Sequence, residues 1–205
     1  HNLADDPAHA DTLATLRGEM QLRLKALPDL SFYPEPQFLR ESKGNGSAFA
    51  KAHKEKISRL IDIADLQLLP FEDAREDLAK ALNSPIPTER YWGLITCSSF
   101  GKKAAEFTAK AKSLGASDPD RLVRVRAAEF LGLTGAADPM PALIQALNET
   151  NDHIEACLIL NTVVLLVESD LGWTFDPNKI RQASWMKIKK GEFRQHLKYL
   201  NDISS

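Results

Sequence analysis

The sequence has little cysteine, no long apolar run and no excess of positive charge. Its 205 residues include two cysteines, too few for a disulfide framework or for a cysteine-rich structural zinc site. The longest apolar run, 156–167, is about twelve residues long, whereas a membrane-spanning helix needs about 20. Lysine and arginine number 26 against 28 acidic residues, a net charge of -2, which argues against a general nucleic-acid binder.

The remaining composition is typical of a globular protein. Hydrophobic residues make up 43% of the chain and charged residues 26%, and the length allows one large domain or two small ones. The chain begins at His1, without an initiator methionine or a signal peptide, so we expect processing or a longer parent protein.

Helix signals dominate the pattern, and alternating strand patterns are nearly absent. Asp-Pro, a pair typical of helix starts, occurs four times, at 6–7, 118–119, 138–139 and 176–177. After the first pair, apolar residues recur at steps of three and four on a helix that should end before Pro28: Leu13, Leu16, Met20, Leu24 and Leu27. The pattern predicts an all-α fold.

Two stretches read as irregular. Residues 28–47 contain three prolines and two glycines, which predicts a long connection whose 43–47 part is mobile. Residues 170–175 predict a shorter break. Helices are expected at about 48–66 and 71–82.

A repeat follows. Arg90 aligns with Arg124 and Gly101 with Gly135, both at an offset of 34 residues. Each unit is a helix, a glycine stop and a second helix, at 102–114 and at 139–148, and a third first helix at 152–167 carries Glu155 near the arginine position. This period predicts an α-solenoid of antiparallel helix pairs, and residues 118–128 resemble HEAT repeats.

The N-terminal segment carries a second resemblance. Residues 1–7 (His-Asn-Leu-Ala-Asp-Asp-Pro), the following helix, and residues 30–35 (Leu-Ser-Phe-Tyr-Pro-Glu) resemble the end of the C-terminal subdomain of formylglycine-dependent sulfatases. One bacterial branch, with arylsulfatase-like and heparan N-sulfatase-like members, continues into HEAT-like helix pairs. The resemblance implies that 1–47 ends a catalytic subdomain and includes a linker, that 48–205 is the solenoid, and that the protein is periplasmic or secreted.

The active site of that family is not in this chain. The family converts the first residue of a Cys/Ser-X-Pro-X-Arg motif into formylglycine, which acts beside a calcium ion. Neither Cys97, followed by Ser-Ser-Phe-Gly, nor Cys157, followed by Leu-Ile-Leu-Asn, fits the motif. The resemblance therefore implies that calcium and formylglycine belong to a missing catalytic domain, the expected partner, and that this chain binds no cofactor and is inactive alone.

One candidate binding surface lies on the first helices of the repeats. This arginine strip consists of Arg90, Tyr91, Trp92, Arg124 and Arg126. Arginine forks suit sulfate or carboxylate groups, and an indole can stack on a sugar. The alternative is structural: the arginines brace neighbouring repeats through acids such as Asp118, and Trp92 fills a gap between repeats.

A second candidate surface is the basic end of the chain. Residues 171–205 hold seven basic and three acidic residues, a net +4, whereas the preceding 170 residues carry a net -6. Lys187, Lys189 and Lys190 could steer a polyanion such as a sulfated glycan. The alternative is a solvated segment that caps the solenoid.

Metal and nucleophile signals are weak. His153 with Cys157, and Glu192 with His196, are spaced four apart, yet neither pair has an evident further ligand, so no metal site is predicted. Both cysteines read as buried reduced thiols.

The leading hypothesis is a non-catalytic helical-repeat module of a sulfatase, which packs on the catalytic domain, shapes substrate access or docks a partner. The alternative is a stand-alone intracellular HEAT scaffold for another protein. A HEAT-built enzyme acting on nucleic acid is weaker, since the acidic body lacks a continuous basic face.

Overall fold

The computed structural model describes residues 2–181, 183–188 and 191–203. Within these ranges every regular element is an α-helix or a short 3-10 helix and none is a β-strand, which confirms the all-α prediction. No helix in the described ranges combines the length and the apolar character that crossing a membrane requires. The chain divides into two compact units, His1–Asp62 and Ile63–Ser205.

The first unit begins with the predicted N-terminal helix. The Asp6 carboxylate accepts a hydrogen bond from the Ala8 N–H at 2.9 Å and starts a 3-10 turn, Pro7–His9, that leads into the helix. The helices of this part of the chain are α1 (Ala10–Ala26), α2 (Glu35–Ser42), α3 (Gly46–Ala52) and α4 (Lys54–Asp65), the last crossing into the second unit. As predicted, α1 ends before Pro28.

The apolar stripe predicted on α1 is mostly exposed, with Leu13 and Leu24 half-buried. None of the residues of α1 is buried. Leu16, Met20 and Leu27 are 58%, 59% and 68% exposed. An exposed stripe of this kind is unusual in a helix that was expected to bury one face.

The prediction of an irregular connection over 28–47 is wrong. A 3-10 turn, Leu30–Phe32, is followed by α2, and α3 begins at Gly46 rather than at 48. Pro36 occupies the first turn of α2, where a missing N–H costs nothing. Lys43 and Gly44 have φ values of 49° and 83°, and Asn45 then caps α3 by accepting from the Ala48 N–H at 3.0 Å. The prolines and glycines therefore mark helix ends.

The second unit spans the part of the chain in which helix pairs were predicted. Its helices are α5 (Phe71–Leu82), α6 (Pro87–Phe100), α7 (Thr108–Ser117), α8 (Arg121–Leu133), α9 (Met140–Glu149), α10 (His153–Val167) and α11 (Phe193–Ile203). The second helix expected at 102–114 is instead a 3-10 helix, Gly101–Phe107, followed by α7. Helix α8 packs against both α6 and α10, so the three predicted first helices lie in sequence beside one another.

Two apolar clusters hold the second unit together. One joins α5, α6, α7 and α8 around Leu94 and Phe130. The other joins α9, α10 and α11 with the segment that follows α10, around Leu143 and Trp185. The Trp185 side chain is fully buried, and its indole N–H donates to the Leu147 carbonyl at 3.0 Å. The last part of the chain thus covers the end of the second cluster.

Candidate functional site: the arginine strip

Arg90 forms the most buried ion pair of the strip. It lies on α6, and its Nε and Nη2 donate to the two carboxylate oxygens of Asp118 at 2.7 and 2.9 Å. Its Nη1 donates to the Ser84 carbonyl at 2.7 Å. The side chain of Arg90 is 10% exposed and that of Asp118 is 2% exposed. The Nε, Nη1 and Nη2 atoms of Arg90 therefore all donate hydrogen bonds to groups within the protein.

Asp118 does not start α8, although it precedes a proline. The N-cap of α8 is Asp120, whose Oδ1 accepts from the N–H groups of Leu122 and Val123 at 2.9 and 3.2 Å. Asp118 instead accepts from the Asp120 N–H at 2.9 Å and from Arg90. The Asp118 carboxylate therefore contacts both the N-cap residue of α8 and an arginine on α6.

Arg124 continues the same line on α8. Its Nη1 donates to the Asp118 carbonyl at 2.8 Å, and its Nη2 donates to Glu149 Oε2 at 2.6 Å. The hydrogen bond from Gln145, followed by the charges of Arg124 and Arg121, lowers the pKa of Glu149. Arg124 and Glu149 also line an open cleft of about 410 Å³ between the ends of α7 and α9.

Arg126 belongs to a separate buried network. It hydrogen-bonds Glu129 on its own helix, and its Nη2 donates to the Tyr91 hydroxyl oxygen on α6 at 2.8 Å. The Thr162 hydroxyl on α10 donates to Glu129 at 2.8 Å. Burial raises the pKa of Tyr91. Three successive first helices are thereby joined through polar side chains.

Sequence reasoning missed Arg121. Its Nη1 pairs with Glu155 on α10 at 2.5 Å, and its Nη2 donates to the Glu149 carbonyl at 3.2 Å. Arg121 and Glu155 are 34 residues apart, which is the repeat length. The offset that aligns Arg90 with Arg124 was the signal that could have found this pair.

In the structure Arg90 contacts the carboxylate of Asp118, and Arg124 contacts the Asp118 carbonyl and the carboxylate of Glu149. Trp92 is half-buried against the first apolar cluster, and its ring centroid lies 6.3 Å from that of Tyr91. Of the basic end, Lys187 is exposed at the end of a 3-10 turn, Ser184–Lys187, whereas Lys189 and Lys190 lie outside the described residues.

Both cysteines are free thiols. Cys97 is buried as predicted, and burial raises the pKa of its thiol to about 12. Cys157 is only partly buried. His196 Nε2 lies 2.6 Å from Asn161 Oδ1. Among the described residues no group of three or more histidine, cysteine or carboxylate side chains is placed to hold a metal ion.

No protein-family model, curated protein or solved structure matches this chain. The geometry of the site is therefore what supports a function: a set of arginines that join successive helices, bordered by a cleft that leaves Arg124 and Glu149 in contact with solvent.

Proposed function

We propose that this chain is a non-catalytic helical-repeat module of a periplasmic or secreted sulfatase. Its second unit is a HEAT-like solenoid, and the catalytic domain of the parent protein supplies the chemistry. The support from sequence is the order of two resemblances, a sulfatase-like segment over 1–7 and 30–35 followed by helix pairs.

Contacts at the repeat length support the solenoid. Arg121 meets Glu155 at a separation of 34 residues, Tyr91 meets Arg126 at 35, and Glu129 meets Thr162 at 33. Contacts between side chains one repeat apart are expected when equivalent helices stack side by side, as in a solenoid. The same three contacts also fix the position of each helix along its neighbour. A shift by one residue would leave buried charges without partners.

The observation that carries the proposal is the exposed apolar stripe of α1. Leu16 and Met20 on α1, and Leu27 directly after it, are each more than half exposed, and α1 lies between the two parts of the sulfatase-like segment. An apolar stripe rimmed by polar residues is typical of a protein–protein interface. We assign the catalytic domain of the parent as the partner that covers this stripe.

The residues of this chain do not fit calcium or formylglycine. Neither cysteine stands in a Cys/Ser-X-Pro-X-Arg motif, and the described residues hold no cluster of metal ligands. We assign both groups to the proposed catalytic domain, and no step of ester cleavage to this chain.

Comparing the chain with the product of its whole gene tests the proposal. We expect hydrolysis of p-nitrophenyl sulfate by the whole product and none by residues 1–205 alone. The whole product should lose activity when the first residue of its Cys/Ser-X-Pro-X-Arg motif is changed to alanine. A gene that encodes no such motif, or hydrolysis by the isolated chain, would overturn the proposal.

The second candidate is a stand-alone scaffold that binds another protein. The stacked helices of the second unit favour it equally, because solenoids commonly present extended binding surfaces. A gene without the sulfatase motif, whose product binds a partner protein through α1, would support the scaffold and exclude the sulfatase module.

A further inference from the structure

An open cleft lies at the end of the second unit, away from the arginine strip. It has a volume of about 640 Å³ and lies between the start of α9, residues 173–179 and the end of α11. Clefts of roughly 300–1,000 Å³ commonly hold small ligands. Apolar residues that line the cleft are Met140, Ile144, Val167, Trp173 and Phe175.

Trp173 is held in place by a hydrogen bond. Its indole N–H donates to the Gly132 carbonyl at 3.1 Å, and the ring is partly buried against the second apolar cluster. Because the one polar group of the indole is already bonded, the ring offers a ligand only apolar surface. A fixed indole of this kind favours stacking over hydrogen bonding.

Two carboxylates, those of Asp138 and Asp176, also line this cleft, and each uses one oxygen atom in hydrogen bonds within the described residues. Asp138 Oδ1 accepts from the Met140 N–H at 2.9 Å, and Asp176 Oδ1 accepts from the backbone and side-chain N–H groups of Asn178 at 3.0 and 3.1 Å. Within the described part of the chain, the Oδ2 atoms of Asp138 and Asp176 have no partner. These oxygens are available to accept hydrogen bonds from a ligand.

Lys179 supplies the opposite charge. It is exposed and lines the cleft, and its ammonium group has no partner among the residues that the structure describes. Two carboxylates and one ammonium leave the lining slightly negative. A sulfated or carboxylated ligand would face like charges here, whereas a neutral ligand rich in hydroxyl groups would not.

We propose that this cleft binds a neutral sugar unit of a glycan. The apolar face of the sugar ring packs on Trp173, its hydroxyl groups donate to Asp138 and Asp176, and Lys179 donates to a ring or hydroxyl oxygen. A cleft lined by an indole, two carboxylates and an ammonium group offers a pyranose ring both apolar and hydrogen-bonding surface. The inference stands independently of the proposed sulfatase module.

Fluorescence and ligand-observed NMR test this binding. The background variant is Trp92→Phe, so that Trp173 is the reporter beside the fully buried Trp185. The probes are galactose, N-acetylglucosamine and cellobiose at millimolar concentrations, with a heparin disaccharide as the charged comparison. We expect a saturable change in Trp173 fluorescence with at least one neutral sugar and none with the disaccharide.

Conservative variants separate binding from folding. Asp138→Asn and Asp176→Asn keep an acceptor that can cap the backbone, so the fold should be retained, and together they should weaken binding about tenfold. Lys80→Gln, an exposed residue outside the cleft lining, is the control and should leave the affinity unchanged. The proposal is overturned if no neutral sugar gives a saturable change in Trp173 fluorescence, or if the heparin disaccharide gives the same change in Trp173 fluorescence.

Discussion

Arg90 on α6 and Asp118 at the end of α7 form a bidentate ion pair, with hydrogen bonds of 2.7 and 2.9 Å and almost no exposure to solvent. Burying two charges is favourable only when each has a well-placed partner. The pair therefore adds little net stability relative to an apolar pair, yet it strongly penalises any arrangement of α6 and α8 that separates the two residues.

We predict that Asp118→Asn lowers the free energy of unfolding by about 3–5 kcal/mol, because it leaves the Arg90 charge buried without a counter-ion. The double variant Arg90→Leu with Asp118→Leu should cost less than either single change. Urea unfolding followed by circular dichroism measures both. The exposed Lys80–Asp77 pair is the control: Lys80→Ala should leave the midpoint unchanged. A double variant as unstable as Asp118→Asn would contradict this interpretation.

Gly132 is predicted to be a position where any side chain is costly. A Cβ atom there would lie 2.7 Å from Leu166 Cδ2 and 2.7 Å from Pro139 Cγ. Gly132→Ala should therefore destabilise the chain by about 1–3 kcal/mol through overpacking. Gly115, on α7, is the matched control, since its Cβ would meet only Ala127 at 3.5 Å. Gly115→Ala should stabilise by up to about 1 kcal/mol through helix propensity. Similar thermal midpoints for the two variants would contradict the predicted clash of a Cβ atom at position 132 with Leu166 and Pro139.

The two thiols should differ sharply in reactivity. Burial, reinforced by the charge of Glu106, raises the pKa of Cys97 from its ordinary value of 9.0 to about 12. Near pH 8 a disulfide reagent should therefore label Cys157 in the native chain and reach Cys97 only after unfolding. In the Cys157→Ser variant, rapid native labelling would show that Cys97 is accessible after all.

The raised pKa of Cys97 also predicts a loss of stability at high pH. Between pH 9 and 12 the unfolded thiol loses its proton while the buried thiol keeps it, so the unfolded state binds fewer protons. The contribution of this group is fully present below pH 9 and declines as the pH rises toward 12. Urea midpoints of the native chain and of Cys97→Ala across this window measure the effect, and equal slopes would contradict it.

The exposed stripe of α1 should contribute little to the stability of the chain by itself. We expect Leu16→Ser with Met20→Ser to leave the urea midpoint unchanged, because both side chains are already more than half exposed. Leu143→Ala is the contrast, since Leu143 is fully buried and its truncation should cost about 2–5 kcal/mol. In the whole gene product the same α1 changes should lower stability. A large loss in the isolated chain would mean that the stripe is already covered.

Binding to a sulfated glycan should depend on the basic end rather than on Arg90. We expect retention on a heparin column that falls steeply with salt and is lost when Lys187, Lys189 and Lys190 are changed to glutamate. The control reverses Lys102, Lys103 and Lys112, which are exposed and change the net charge by the same amount. Flow-through of the unchanged chain at low salt would exclude this surface as a polyanion site.

Local signals predicted most helix positions correctly. The steps of three and four in α1, the Asp-Pro pairs and the glycines at 101 and 135 all act within one or two turns of the chain. The same logic failed over 28–47, where prolines and glycines cap helices α2 and α3. A proline at the first turn of a helix and a proline in a loop have the same local sequence, and only the contacts that follow distinguish them.

The sequence likewise predicted some contacts of the candidate site and missed others. The sequence aligned Arg90 with Arg124 and named Asp118 among the acids that could brace them, but it did not show that Arg124 would meet Glu149. The Asp-Pro pair predicted that Asp118 caps a helix. In the structure Asp118 pairs with Arg90, and Asp120 is the N-cap of α8.

By itself the sequence determined that the chain is helical and where most of its helices begin, because these properties depend on hydrogen bonds and side chains within a few residues. The tertiary structure decided the partners of Asp118, the exposure of α1 and the cleft beside Trp173. Each of these depends on which surfaces come together when helices far apart in the chain pack, and that choice is set by the burial of all the apolar and charged groups at once.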